Sequence, residues 1–188
     1  RTRLLIDPRL TTGSNDQYIY WSLVDAYGTV VSSNSKWSSN DNAWTVVLPQ
    51  DGTYVLHLHG QESSTTARST TMNVRATTTS NAALQLGDVV SGSISAAGNS
   101  NRYTLTLSEE TTVLVDPRSV VSGSNSATLT INAPKGQVAS FGLGSTQSYY
   151  VYRLPAGTYT FDLNGSYGYQ PSYTFKVQEL SDESIDHG

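Results

Sequence analysis

Apolar and polar residues alternate with a period of two along several short stretches of this chain. Ile19, Trp21 and Leu23 alternate with Tyr20 and Ser22 in one such stretch. The same alternation recurs later, with apolar residues at Trp44, Val46 and Leu48, at Tyr103, Leu105 and Leu107, at Ala127, Leu129 and Ile131, and at Tyr150, Tyr152 and Leu154. A period of two is typical of a strand with one face in the core and the other in solvent. The pattern therefore predicts an all-β protein.

These strand signals occur twice in the same order, which indicates an internal repeat. The clearest mark of the repeat is a turn, which spans Leu48–Tyr54 in the first copy and Leu154–Tyr159 in the second. In both copies proline fixes φ, glycine allows unusual backbone angles, and Thr-Tyr begins a strand. Aligning the two turns brings the other strand signals of the two copies into register.

Each copy also contains an apolar run that ends in Asp-Pro, at Asp7-Pro8 and at Asp116-Pro117. Proline cannot donate a hydrogen bond to a sheet, and it restricts the residue before it. We expect each run to be a strand that leaves its sheet at the Asp-Pro step.

The second copy contains a segment that has no counterpart in the first. Residues 84–94 and 101–107 predict two strands ahead of its Asp-Pro run, whereas the first copy begins at that run. The sequence thus predicts two tandem antiparallel β-sandwich repeats, of which the first lacks its N-terminal strands. An upstream segment, another chain or a rearranged edge would have to cover the open part of its core.

The repeat also sets the expected domain boundaries. Residues 1–76 form the first, incomplete repeat, residues 84–180 form the second, and residues 75–83 contain a short linker. Residues 181–188 are expected to be a linker or the start of a further copy. We expect the chain to be a piece of a longer protein.

Composition limits the classes of function. Only 14% of the residues are charged and the net charge is −4, so nucleic acid is not an expected partner. Cysteine is absent, which excludes disulfides and thiolate metal sites and fits long bacterial surface proteins. No run of residues approaches the roughly 18 apolar residues of a membrane span.

The order of the motifs resembles a known family. Residues 84–177 contain LQLGDVVSG, NRYTLTL, KGQVAS, LPAGTYTFDL and YTFKV in that order, and together they resemble the bacterial pre-peptidase C-terminal domain. Residues 2–74 repeat part of this order. The resemblance implies a jelly-roll-like β-sandwich, which occurs in secreted proteases and in tandem within very large bacterial surface proteins. Some members of the family that this chain resembles bind calcium, and others bind collagen or other polymers.

Calcium is the one cofactor that the resemblance raises, and Asp7 and Asp116 are the candidate ligands. A carboxylate at the end of a strand can cap turn amides or help to ligate calcium. Turn capping is favoured, because calcium takes six to eight oxygen ligands and the chain lacks the dense acidic cluster of the calcium-binding relatives.

Aromatic residues in the predicted loops are candidate ligand-binding residues, because such side chains often anchor sugars or peptides. The candidates are Trp37, Tyr149, Tyr167 and Tyr169. Core packing is the alternative, and it is favoured for Trp21, Trp44 and Tyr150, which occupy inward positions of strands.

His57 and His59 share one face of a predicted strand, which is the simplest geometry for two imidazoles that bind one metal. The matching residues of the second copy are Asp162 and Asn164, so a polar, solvent-facing surface is the favoured interpretation. No Gly-x-Ser-x-Gly, His-Glu-x-x-His or phosphate-binding motif occurs. The chain is not expected to be an enzyme.

The predicted function is a non-catalytic structural or adhesion repeat of a large secreted or cell-surface bacterial protein. Its partners would be the neighbouring repeats of the same polypeptide. One alternative is a module that binds carbohydrate or an extracellular matrix protein, and another is an accessory C-terminal domain of a secreted protease.

Overall fold

A computed structural model gives the fold, and it describes residues 2–12, 19–36, 43–60, 69–121, 127–143, 149–165 and 169–180. All helical or strand structure in these ranges is β-strand. They contain no helix with the length and apolar character needed to cross a membrane. The chain divides into unit 1, Arg1–Thr78, and unit 2, Thr79–Gly188.

Unit 1 consists of two three-stranded antiparallel sheets. Its strands are β1 (Arg3–Thr12), β2 (Ile19–Val24), β3 (Val30–Lys36), β4 (Trp44–Val47), β5 (Val55–Gly60) and β6 (Ser69–Thr77). The strand orders are β4-β1-β6 and β3-β2-β5. Ile6 of the first sheet and Trp21 and Leu23 of the second share one buried cluster, so the two sheets form a sandwich.

Unit 2 is a larger sandwich of the same kind. Its strands are β7 (Thr79–Ala83), β8 (Val89–Ser93), β9 (Ser100–Leu107), β10 (Thr111–Val121), β11 (Ala127–Ala133), β12 (Gly136–Leu143), β13 (Tyr150–Leu154), β14 (Gly157–Gly165) and β15 (Ser172–Glu179). A sheet of order β13-β10-β15-β8 faces a sheet of order β12-β11-β14-β9-β7. Val113 and Phe175 of the first and Leu129 and Phe161 of the second are all fully buried in one cluster.

The two units share a framework of six strands, β1 to β6 in unit 1 and β10 to β15 in unit 2. In both, the first strand pairs with the fourth and sixth, and the second pairs with the third and fifth. The predicted alternation holds, since Ile19, Trp21 and Leu23 are 7%, 2% and 4% exposed. The prediction of tandem antiparallel β-sandwich repeats is confirmed.

Strands β7, β8 and β9 of unit 2 have no equivalent among the described residues of unit 1. β8 pairs with β15 and β9 pairs with β14, so they extend both sheets beyond the shared framework. In unit 1 the matching strands β6 and β5 are sheet edges. As predicted, the described residues of unit 1 contain no counterpart of the strands with which unit 2 begins.

Strand β7 lies where the sequence suggested a linker. Residues 75–77 belong to β6, and residues 79–83 form β7, which pairs in parallel with β9. All five side chains of β7 are exposed, so it joins the sheet through its backbone and through a 2.9 Å hydrogen bond between Thr79 Oγ1 and Ser100 Oγ. A strand without a buried face gives no apolar alternation to detect.

Both Asp-Pro steps lie inside long strands, so the expectation that the strands leave their sheets there is wrong. β1 continues past Pro8 while paired with β6, and β10 continues past Pro117 while paired with β15. Pairing with β4 ends at Ile6 and pairing with β13 ends at Val115, directly before each Asp-Pro. Among the described residues, the pairing at each proline is with the sixth strand of the unit, Met72 opposite Pro8 and Phe175 opposite Pro117.

The turn that marks the repeat is one residue longer in unit 1, but it has two features in common in the two units. Tyr54 Oη donates a hydrogen bond to the Gln50 carbonyl at 2.7 Å, and Tyr159 Oη donates to the Pro155 carbonyl at 2.9 Å. The glycine two residues before each tyrosine has a φ of 158° in unit 1 and 156° in unit 2. Each tyrosine thus ties the turn to the strand that follows it.

Candidate binding surface

In unit 2, the strands next to the aromatic candidates have ends that lie together at one end of the sandwich. Ala127, which begins β11, pairs with Leu143 at the end of β12 and with Gly165 at the end of β14. We call this end of the sandwich the loop end. Tyr149, which precedes β13, is 60% exposed, and Tyr169, which precedes β15, is 54% exposed.

The position of Tyr169 depends on a close backbone approach at Gly165. A Cβ atom at Gly165 would overlap the Tyr169 carbonyl oxygen and would lie 3.2 Å from Pro171 Cδ. The Pro171 carbonyl accepts a 3.0 Å hydrogen bond from the Ile94 amide, which ties this loop to the connection between β8 and β9. The Tyr169 ring is therefore attached to an ordered frame and faces solvent, as a stacking residue requires.

Trp37 and Tyr167, the other two aromatic candidates, lie outside the described residues. Lys36 at the end of β3 pairs with Ile19 at the start of β2, as Leu143 pairs with Ala127 in unit 2. The inward assignment of Trp21 and Trp44 is confirmed, with their ring centroids 5.5 Å apart in the core of unit 1.

Asp7 and Asp116 lie within strands, and neither carboxylate lies at a turn. Asp7 is opposite Asn73 and only 7% exposed, and Asp116 is opposite Lys176. Asp116 Oδ2 accepts a 3.0 Å hydrogen bond from Arg118 Nε. Within the described ranges, no group of three or more His, Cys, Asp or Glu residues could hold a metal ion.

An aspartate caps a turn at a different position, Asp25. Its Oδ1 atom accepts hydrogen bonds from the amides of Tyr27 at 2.9 Å and Thr29 at 2.8 Å. Gly28 of the same turn has a φ of 84°, a conformation that favours glycine. The Asp25 carboxylate thus stabilises the hairpin between β2 and β3.

His57 and His59 lie on the exposed face of β5, as predicted. The ring centroids of the two histidines are 5.8 Å apart, and the His59 ring stacks on Tyr20 at 5.1 Å with an interplanar angle of 14°. The stacking gives His59 a packing role on a solvent-facing surface.

On the matching face of unit 2, three polar side chains form a network that the sequence did not reveal. Arg102 donates two hydrogen bonds to Asp162, at 2.6 and 3.0 Å, and Asn132 Nδ2 donates a third at 3.0 Å. The hydrogen bond with Asp162 raises the pKa of Arg102. These residues come from β9, β14 and β11, so the network links three adjacent strands.

A second polar cluster holds β8 and β9 against β15. The hydroxyls of Tyr103 and Tyr173 are 2.8 Å apart, and Asn101 donates a hydrogen bond to the Tyr173 hydroxyl. Glycine at position 92 leaves room for the Tyr173 hydroxyl, since a Cβ atom there would be 2.6 Å from Tyr173 Oη. Burial, and then the hydrogen bond with Tyr103, raise the pKa of Tyr173. Because Tyr173 is 2% exposed, this cluster is part of the core rather than a ligand site.

These features define the class of protein as a two-unit β-sandwich with exposed tyrosines at one end of unit 2. Comparison with solved structures finds PliG of Aeromonas hydrophila, a periplasmic inhibitor of g-type lysozyme. It is 20% identical, with a TM-score of 0.44 over 56% of this chain and 100% of that chain. The pre-peptidase C-terminal domain of a Bacillus anthracis collagenase is 12% identical, with a TM-score of 0.43 over 53% of this chain and 94% of that chain.

The collagenase domain belongs to the family that the motif order resembles. At these identities and TM-scores the similarity does not extend to function. No protein-family model and no curated protein matches this chain.

Proposed function

We propose that this chain is a non-catalytic pair of repeats from a large secreted or cell-surface bacterial protein, in which the repeats act as structural spacers or adhesion modules. The observation that carries the proposal is the six-strand framework that occurs in both units with the same tyrosine-tied turn. Repeat proteins build one polypeptide from many copies of the same structural unit. The direct partners are then the neighbouring repeats.

The connection between the units also supports a spacer. β6 ends at Thr77 and β7 begins at Thr79, so Thr78 alone separates the last strand of unit 1 from the first strand of unit 2. A long Gly/Ser-rich segment would behave as a flexible tether. A single connecting residue suits a spacer better than such a tether.

The second candidate function is a module that binds carbohydrate or a matrix protein. The observation that favours it is the exposure of Tyr149 and Tyr169 at the loop end, at 60% and 54%. A tyrosine ring offers an apolar face for stacking and a hydroxyl for hydrogen bonding.

Glycan and collagen arrays probed with the intact chain test both candidates. A pure spacer shows no saturable binding to either array. A binding module binds saturably and loses that binding in Tyr149→Ala and Tyr169→Ala, whereas Tyr27→Ala, which changes an 82% exposed tyrosine of unit 1, does not. Saturable binding that depends on Tyr169 would therefore overturn the pure-spacer function.

A further inference from the structure

The outer face of β5 carries two histidines, His57 and His59, whose imidazoles lie close together. Residues two apart on a strand point to the same face, and both histidines are exposed. The centroids of the two rings are 5.8 Å apart, with an angle of 43° between the ring planes. Two imidazoles that each bind one ion through one nitrogen, at about 2.0–2.1 Å, have centroids about 4.5–5 Å apart. A modest rotation of the side chains therefore brings both rings to one ion.

Two contacts orient the His59 ring. Its Nδ1 atom lies 3.2 Å from the carbonyl oxygen of Gly60. Because a carbonyl oxygen can only accept a hydrogen bond, Nδ1 is the protonated nitrogen of the neutral ring, and Nε2 keeps the lone pair that can bind a metal ion. The ring also stacks on Tyr20 of the neighbouring β2, at 5.1 Å and 14°. A backbone carbonyl that holds the second ring nitrogen is a usual support of a metal-binding histidine.

The matching face of unit 2 uses the same strand positions differently. Asp162 stands where unit 1 has His57. Its carboxylate accepts hydrogen bonds from Arg102 and Asn132. The position of Asn132 is occupied in unit 1 by Val24, whose side chain has no donor. Unit 2 thus links its strands on this face through a carboxylate, whereas unit 1 presents two imidazoles to solvent.

A pair of imidazoles favours one class of ion. Imidazole nitrogen suits Cu²⁺, Ni²⁺ and Zn²⁺, whereas Ca²⁺ and Mg²⁺ take oxygen ligands. Within the described ranges no third His, Cys, Asp or Glu joins the pair, so water supplies the remaining ligands of a bound ion. The affinity of a given nitrogen site for divalent ions rises from Mn²⁺ through Co²⁺ and Ni²⁺ to Cu²⁺ and falls again at Zn²⁺.

We propose that His57 and His59 of unit 1 form a chelating site for a divalent transition-metal ion, and that the site binds Cu²⁺ most tightly. The protein ligands are Nε2 of His59 and one ring nitrogen of His57, and water completes the coordination. This goes beyond the proposed function, because it assigns a cation to one face of unit 1 and requires no neighbouring repeat, glycan or matrix protein.

Isothermal titration calorimetry tests the site with CuCl₂, NiCl₂ and ZnCl₂ added to the intact chain, which is prepared without a polyhistidine tag. We expect one Cu²⁺ per chain, weaker binding of Ni²⁺ and Zn²⁺, and no displacement of Cu²⁺ by excess Ca²⁺. His57→Asn and His59→Asn should each weaken Cu²⁺ binding by about tenfold or more, because one imidazole alone cannot chelate. Both side chains are exposed, so the variants should fold, which circular dichroism checks.

His187→Asn is the matched control, because His187 is the third histidine of the chain and lies outside the described residues. It should leave the Cu²⁺ affinity unchanged. Tyr20→Ala removes the stacked ring and should weaken binding by less than the loss of a histidine does, whereas Tyr20→Phe keeps the ring and should restore the affinity. Nitrogen-15 NMR of the histidine rings identifies the ligand atom, since Zn²⁺ should shift Nε2 of His59 far more than Nδ1.

Three outcomes would overturn the proposal. The first is the absence of saturable Cu²⁺ binding. The second is binding that His57→Asn and His59→Asn leave unchanged, which would place the ion elsewhere in the chain. The third is a Zn²⁺-dependent shift at Nδ1 of His59 in place of Nε2, which would contradict the assigned ligand atom. None of these outcomes bears on the array test of the proposed function.

Discussion

At the scale of single residues, the tyrosine that ties each repeat turn is buried to different extents in the two units. Tyr159 is 4% exposed, whereas Tyr54 is only partly buried. Both hydroxyls donate to a backbone carbonyl. The hydrogen bond of Tyr159 is partly buried, whereas that of Tyr54 is exposed, and water replaces a lost hydrogen-bond partner more readily at an exposed site.

We therefore expect Tyr159→Phe to lower the free energy of unfolding of unit 2 by about 0.5–1.5 kcal/mol. Tyr54→Phe should lower the free energy of unfolding of unit 1 by less, because water can replace the Tyr54 hydroxyl as the hydrogen-bond donor. Urea denaturation of each variant measures the change. Equal losses in the two variants would argue against burial as the cause.

The buried hydroxyl of Tyr173 gives a pH-dependent prediction. Its pKa is raised by burial and by the hydrogen bond with Tyr103, above the ordinary tyrosine value of about 10. Below about pH 10 both the folded and unfolded chains keep this proton, so its contribution is constant. Above that pH the unfolded chain loses the proton first, and the free energy of unfolding falls as pH rises.

Replacing Tyr173 by Phe removes this contribution. Between about pH 10 and 11, the decline in the free energy of unfolding should become shallower by at most about 1.4 kcal/mol per pH unit. Urea denaturation of the original chain and of Tyr173→Phe at a series of pH values measures the two slopes. Parallel curves above pH 10 would rule out Tyr173 as a source of the alkaline decline.

At the scale of strands, the same leucine position has a different environment in each unit. Leu163 of β14 is covered by its own sheet and by the opposite one, whereas Leu58 of β5 is 41% exposed at a sheet edge. Truncating a fully buried leucine removes its transfer free energy and leaves a cavity. Truncating an exposed leucine loses less transfer free energy and leaves a smaller cavity.

Leu163→Ala is accordingly expected to destabilise unit 2 by about 2–5 kcal/mol. Leu58→Ala should change the stability of unit 1 by less than about 1 kcal/mol. Hydrogen exchange of amides in β14 and β5 reports each unit separately. A loss at Leu58 as large as the loss at Leu163 would show that β5 is covered after all.

Whether a strand can be predicted from the sequence depends on whether one of its faces is buried. β2 was predicted from Ile19, Trp21 and Leu23, because alternation records burial directly. β7 was missed, because its side chains are all exposed and its pairing with β9 is through the backbone. Proline lacks a backbone donor, but this property alone does not reveal that β1 and β10 stay paired with β6 and β15 past the Asp-Pro step, which depends on register.

The same limit applies to the candidate surface. Tyr169 could be assigned to an exposed loop from its local sequence, because glycine and proline surround it. The hydrogen bonds that Arg102 and Asn132 donate to Asp162 could not be predicted from local sequence, because they join residues up to 60 positions apart. Such a contact follows from strand order, which composition and periodicity do not specify.

At the scale of the whole molecule, the described parts of the two units differ in the number of apolar residues in their buried clusters. The buried cluster of unit 1 contains four apolar residues among those described, whereas that of unit 2 contains seventeen. Stability rises with the apolar surface removed from water. Unit 1 is therefore expected to be the less stable of the two in this chain.

The tryptophans allow this difference to be measured in the intact chain. Trp21, Trp37 and Trp44 are the only three tryptophans, and all belong to unit 1. Trp21 is 2% exposed, so unfolding of unit 1 moves its ring into water. Tryptophan fluorescence thus reports unit 1 alone, while far-ultraviolet circular dichroism reports the strands of both units.

We expect the fluorescence transition in urea to have a lower midpoint than the main circular dichroism transition, because probes that disagree indicate separate cooperative units. Leu163→Ala provides the control, since it should shift the circular dichroism transition and leave the fluorescence midpoint in place. Coincident transitions in the original chain would instead mean that both units unfold together and that the smaller core of unit 1 does not limit its stability.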